Sequence, residues 1–243
     1  MTLVQDPLEQ VLTAIQQRWG SDALRPLGEL STQQITLPTG FTALDELVGG
    51  WPRGRLSLVT GGPTAGLTTL GLYALAAAQR EDRPALIVDV GRTLDPASAV
   101  HCGVDLEQVL LVHPAAGTLG LSLVRDVVAC GGSGIILLDA SLSDVRPRQT
   151  PMPTRNPQTL ASALPRTRWV VLCLAASSDP FARAAASYAG LRLHVEREAW
   201  RRDGRDITGC AVRVTVRQHP SVPPGRFSRL TLSFSGSLPE SSA

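Results

Sequence analysis

The stretch Gly61-Gly62-Pro63-Thr64-Ala65-Gly66-Leu67-Thr68-Thr69 follows directly on the apolar run Leu56-Ser57-Leu58-Val59. Gly61, Gly66 and Thr68 satisfy the phosphate-loop pattern G-x-x-x-x-G-K-[ST], and Leu67 stands where the pattern has its lysine. Backbone amides at the start of a following helix could still cradle a phosphate, and the Thr68 hydroxyl could still reach a magnesium ion. The ammonium that would neutralise the β- and γ-phosphates is missing. A charge-assisted hydrogen bond is worth roughly 1.5–3 kcal/mol, so its loss weakens binding by about one to two decades. All 23 basic residues are arginine, so no other lysine stands in for it.

Outward from this loop, short apolar runs alternate with helical patterns. Strands are predicted at 56–60, 85–89, 109–112, 134–138 and 169–174, and helices at 67–80, 96–102, 118–130 and near 157–164. That alternation predicts a mostly parallel sheet covered on both faces. Upstream, TGFTALDELVGGWPRG reads as a helical segment closed by Gly49-Gly50 and a turn at Pro52-Arg53-Gly54. Beyond about 190 the period becomes two: LRLHVEREAW, a turn at Asp203-Gly204, CAVRVTVRQ, then RLTLSF. This predicts a hairpin and a further strand extending the sheet in antiparallel fashion. In GIILLDAS, Asp139 ends an apolar strand in the manner of a magnesium-holding aspartate.

At the N-terminus Leu8, Leu12, Ile15 and Trp19 share one helix face, with an extended piece at Ala23–Leu27 after it. The expected organisation is a helix-strand segment over 1–33 for oligomerisation or docking, a core over 34–236 and a tail over 237–243. With 43% hydrophobic residues and no apolar run of about 18, the chain has no sign of a membrane span. Its start lacks a basic n-region, and the expected location is the cytoplasm. Cys102, Cys130, Cys173 and Cys210 lack CxxC spacing and read as reduced thiols; His101, His113, His194 and His219 have no metal-ligand spacing, and no metal site is expected.

Residues 1–140 carry 8 arginines against 14 acids, and residues 141–243 carry 15 against 7. An anionic or acidic partner for the C-terminal half is one reading of this asymmetry, and ordinary solvated arginines are the other. The Pro- and Arg-rich stretch between Ser141 and Arg168 reads as an exposed loop in which Arg146, Arg148 and Arg155 could meet phosphates.

Several of these segments, in order, resemble the RecA family. LEQVLTAIQQRWGSDALRPLGE resembles the helix and strand through which RecA subunits polymerise. LPTGFTALDELVGGWPRGRLSLVTGG resembles the approach to its phosphate loop, and ALIVDVGRTLDP with CGVDLEQVLLVHP its next two strands. ASYAGLRLHVER and ITGCAVRVTVRQH resemble its C-terminal sheet. The resemblance implies an α/β fold: a RecA-like P-loop core with a mostly parallel central sheet and an antiparallel C-terminal extension.

Carried over residue by residue, the resemblance implies a site in decay. Leu67 replaces the loop lysine, Gly91 the catalytic glutamate, Ser98 the adenine-stacking tyrosine and Ala176 the γ-phosphate-sensing glutamine, while Thr68, Asp95 and Asp139 remain. The vestigial nucleotide site would then comprise Gly61, Gly62, Pro63, Gly66, Leu67, Thr68, Thr69 and Asp139. The second DNA loop is shortened to SSDPFARAAAS, with Arg183 as its one base. Arg217 and His219 fall where RecA has lysines that reach a neighbouring subunit's nucleotide. Length, the GGWPRG segment and the altered site resemble the ImuA family most, which accompanies the translesion factor ImuB.

The function expected on this basis is that of an accessory or regulatory interaction factor in DNA repair, recombination or damage-induced translesion synthesis. It would have no catalytic residue and no required cofactor, with ATP and magnesium disfavoured. Its partner would be RecA or a translesion polymerase complex, docked through Leu8, Leu12, Ile15 and Trp19. That segment could also join copies of the chain, and single-stranded DNA could meet the arginines. The alternative is a divergent recombinase that binds single-stranded DNA and ATP.

Overall fold

The computed structural model describes residues 36–115, 117–141 and 157–234, together with Val11, Ala14, Gln17 and Arg18. The chain divides into two compact units, Met1–Gln34 and Ile35–Ala243. In the first, the four described residues are helical and exposed. Leu8, Leu12, Ile15 and Trp19, the extended piece expected at 23–27 and the tail from 235 lie outside the described residues.

The second unit is built on strands β1 (Thr36–Leu37), β2 (Trp51–Pro52), β3 (Arg55–Gly61), β4 (Ala85–Asp89), β5 (Val109–Val112), β6 (Ser133–Ala140), β7 (Arg168–Ala176), β8 (Leu191–Asp203), β9 (Asp206–Gln218) and β10 (Phe227–Ser233). The helices among the described residues of this unit are α1 (Thr42–Val48), α2 (Leu67–Gln79), α3 (Pro96–His101), α4 (Gly117–Ala129), α5 (Pro157–Ala163) and α6 (Pro180–Ala186). Eight strands form one sheet in the order β10-β9-β8-β3-β7-β6-β4-β5, and β1 and β2 pair separately. From β8 through β5 every pairing is parallel, whereas β8, β9 and β10 pair antiparallel. The mostly parallel sheet with an antiparallel extension is thus present.

The sequence runs explain the layering. Along the parallel strands successive residues point to opposite faces, and both faces are apolar. Val170, Leu172 and Leu174 of β7, with Ile135 and Leu137 of β6, join Leu70 and Tyr73 of α2. Val171 and Cys173, with Ile136 and Leu138, instead join Leu121 and Val124 of α4 and Phe181 of α6. Each such side chain buried contributes about 1.5–3 kcal/mol. The hairpin differs: Leu193, Val195, Val212 and Val214 face the α2 side, while Arg192, His194 and Arg213 alternate with them and stay half-exposed.

One segment departs from the sequence reading. SSDPFARAAAS, expected as a shortened loop, contains the helix α6. Asp179 accepts a hydrogen bond from the Phe181 amide at 2.7 Å, and Pro180 occupies the first turn, where its missing N–H costs nothing. Phe181 and Trp169 are 1% and 9% exposed, so both belong to the core.

Candidate nucleotide site

The loop sits where a ligand pocket is usual in an open α/β sheet, beyond the carboxyl end of the central strand β3. Gly61 ends that strand, and Gly66 caps α2 in the left-handed conformation at φ 85°. A side chain on Gly61 would lie 2.8 Å from the Val195 carbonyl, and one on Gly66 would run into Leu232. Both glycines are therefore required by the turn itself, whatever the loop binds.

Leu67 belongs to the core rather than to the open side of the loop. Its side chain is only 5% exposed and packs with Ala65, Leu70 and the sheet core. One of its methyls lies 3.1 Å from the place a Gly61 Cβ would take, so hydrocarbon lines the inner side of the loop. A lysine there would point a cation at phosphate oxygens; leucine contributes to folding instead.

Thr68 and Asp139, 71 positions apart, meet as the motif requires. The Thr68 hydroxyl donates to Asp139 Oδ2 at 2.7 Å. Asp139 Oδ1 accepts from the Ser141 amide at 2.9 Å and its hydroxyl at 2.6 Å. Burial pushes the Asp139 carboxyl above the usual carboxylate range; hydrogen bonds from Ser141 and Thr68 oppose that shift, and the neighbouring Asp89 adds to it. Asp89 is 2% exposed, accepts from the Leu94 amide at 2.9 Å and lies 3.6 Å from His113 Nε2. A hydroxyl beside a carboxylate suits magnesium, but that ion takes most of its remaining ligands from water and substrate phosphates. The donor pair fits the ion, and the Leu67-lined loop is poor at holding the phosphates.

The other carried-over positions fall around this end of the sheet. Gly91 follows β4 and presents no side chain. Asp95 accepts from the Ala97 and Ser98 amides and from the Ser98 hydroxyl at 2.7 Å, which makes it the cap of α3. These bonds, the Ser98 hydroxyl's first, hold its carboxyl below the usual range. Ala176 ends β7 beside Gly61.

His219 is committed to its own turn: Nδ1 accepts from the Ser221 and Val222 amides at 3.0 Å, and Nε2 lies 3.2 Å from the Val48 carbonyl. Arg217 and Arg183 border a groove on the far face of the sheet. Arg146, Arg148 and Arg155 lie outside the described residues. Among the described residues no group of three or more His, Cys, Asp and Glu side chains could hold a metal ion.

One contact has no counterpart in the sequence reading. Arg197 of β8 donates to the Thr64 carbonyl at 2.7 Å and also to the Thr64 hydroxyl, while its guanidinium stacks 4.0 Å over Trp200. A cation thus reaches the loop from 133 positions away, and no local motif announces it.

Residues 6–150 match the model of the RecA N-terminal domain. Protein RecA of Enterococcus faecalis is 28% identical over 93% of this chain and 73% of its own length. Protein RecA of Enterococcus mundtii is 28% identical over 93% of the chain and 74% of its own, and that of Levilactobacillus brevis 27% over 95% and 68%. No described helix is long and apolar enough to cross a membrane. The parallel sheet, the loop beyond β3 and the Thr68–Asp139 pair agree with these matches, and the chain belongs to the RecA family.

Proposed function

We propose that this RecA-family chain no longer hydrolyses ATP in the manner of RecA and acts as an accessory interaction factor in DNA repair, recombination or damage-induced translesion synthesis, as in the ImuA family. The observation that carries the reading is Leu67: its side chain is part of the apolar core, so the loop's key cation has been exchanged for folding energy. Gly91 supports it, since no carboxylate stands there to polarise a water. The partner is RecA or a translesion polymerase complex that includes ImuB, engaged through the segment with Leu8, Leu12, Ile15 and Trp19. The edge strand β5 supports a docking role as well: among the described residues it pairs on one side only, and Leu110 and Leu111 are 72% and 45% exposed.

Co-purification tests this. Purified chain and RecA, or chain and ImuB, form a complex that Leu12→Asp abolishes; absence of any complex with either partner overturns the proposal.

A second reading, a divergent recombinase that binds ATP and single-stranded DNA, draws on the intact Thr68–Asp139 pair and on Arg197 at the loop. Titration with a labelled ATP analogue and magnesium separates the two readings. Micromolar binding with phosphate release favours the second.

A further inference from the structure

The parallel strands begin at the end of the sheet opposite the loop, and the segments that lead into them carry a cluster of arginines. Arg53 lies in the turn before β3, Arg83 in the connection from α2 to β4, and Arg168 at the first position of β7. β3 pairs in parallel with β7, and β4 joins β7 through β6, so the three starts share one end. The turn that holds Arg53 is fixed there. Gly54 has φ 66°, its amide donates to the Trp169 carbonyl at 2.8 Å, and a side chain on it would come within 2.9 Å of the Thr167 carbonyl.

One carboxylate serves this cluster. The Arg53 side chain is 9% exposed, donates from Nε to the Thr36 carbonyl at 3.4 Å and meets Glu81 Oε2 at 3.4 Å. Burial holds the Arg53 guanidinium below its ordinary pKa; the nearby charges of Arg83 and Arg168 add to that shift, and Glu81 opposes it. Among the described residues no carboxylate pairs with Arg83 or Arg168, and the buried Nε of Arg83 has no hydrogen-bond partner. Gathered like charges repel one another, and a further anion entering between them relieves the repulsion. Guanidinium forks match carboxylates, and Glu81 already occupies one such place.

The surroundings favour a peptide over a nucleic-acid strand. Bases stack on open aromatic faces, whereas Trp51 and Trp169, the rings nearest these arginines in sequence, are 0% and 9% exposed. The Trp169 Nε1 is also engaged, donating to the Gly131 carbonyl at 2.9 Å. Beside Arg168, whose amide donates to the Gly132 carbonyl at 3.3 Å, Gly131 and Gly132 are both exposed, and a side chain placed on Gly131 would meet nothing within 4 Å. Another backbone can approach closely there.

We infer that Arg53, Arg83 and Arg168 form a docking point for an acidic segment of a partner protein, whose carboxylates meet Arg83 and Arg168 while Glu81 competes for the same cations. The docking point uses none of Leu8, Leu12, Ile15 and Trp19, so its failure and that of the co-purification test are separate results.

Fluorescence anisotropy of the full chain with a labelled hexaglutamate peptide tests it, with hexaglutamine and a six-nucleotide oligothymidine as comparison probes. Arg83→Gln and Arg168→Gln each weaken hexaglutamate binding about fivefold or more, and Arg201→Gln on the hairpin changes it by less than about twofold. Glu81→Gln removes the internal competitor and strengthens binding about threefold or more, an effect that a merely structural role for Glu81 would not produce. Absence of hexaglutamate binding overturns the inference. So does binding that Arg83→Gln and Arg168→Gln lower no more than Arg201→Gln does, or that hexaglutamine matches. Oligothymidine binding that is tighter than the peptide's and is lost in the same two variants overturns it in favour of a nucleic-acid surface.

Discussion

Position 67 gathers most of the chemistry of this molecule into one side chain. Leucine there is buried against the core, so restoring lysine puts an ammonium into hydrocarbon. Leu67→Lys is expected to lower stability by about 2 kcal/mol or more in urea unfolding. It is also expected to leave hydrolysis absent, because Gly91 still offers no carboxylate. Asp139 gives a second residue-scale test. Burial holds its folded pKa above the ordinary value, so ionisation opposes folding. Its contribution to stability is therefore greatest below about pH 4 and is lost as the pH rises to the folded value. Urea titrations across this range should show the wild type losing stability relative to Asp139→Asn as pH increases; the opposite slope contradicts the assignment.

At the scale of elements, β3 to β7 were legible because each is a short apolar run flanked by turn residues, and β4 and β5 fall on the residues predicted; the two-residue strands β1 and β2 were not, and Pro52, expected in a turn, ends β2. The loop between β3 and α2 was legible from Gly61, Gly66 and Thr68. The helix α6 was not, since seven residues rich in alanine carry no apolar periodicity, although Asp179-Pro180 is a cap signal in plain view. The placement of Arg197 at the loop and of Arg217, named only through the resemblance, at the groove was not legible for a different reason. Their positions depend on strand register and on a bulge, which pairing fixes and local sequence does not. For β5, the exposed Leu110 predicts that Leu110→Asp changes stability by no more than about 0.5 kcal/mol while weakening partner association. A large loss of stability would show instead that Leu110 packs within its own chain.

At the scale of the whole molecule, the helices and the sheet bring Thr68 to Asp139, while the resemblance to RecA implies that Leu67, Gly91, Ser98 and Ala176 replace the reactive side chains around that pair. Gly61 and Gly66 stand where the turn itself requires them, and the resemblance implies that the replaced side chains are those that meet the nucleotide. The arginines lie mostly in the C-terminal half; of the described ones there, Arg213 and Arg229 pair with Glu198, Arg197 stacks on Trp200, and Arg192 and Arg217 border the groove. On the proposed reading, function has moved from the loop toward surfaces that meet other molecules.

The most direct test of that claim is steady-state phosphate release from ATP with magnesium and single-stranded DNA, measured for the wild type beside Asp139→Asn. The account predicts that the two are indistinguishable from each other and from a blank without protein. Turnover by the wild type that Asp139→Asn abolishes would contradict it.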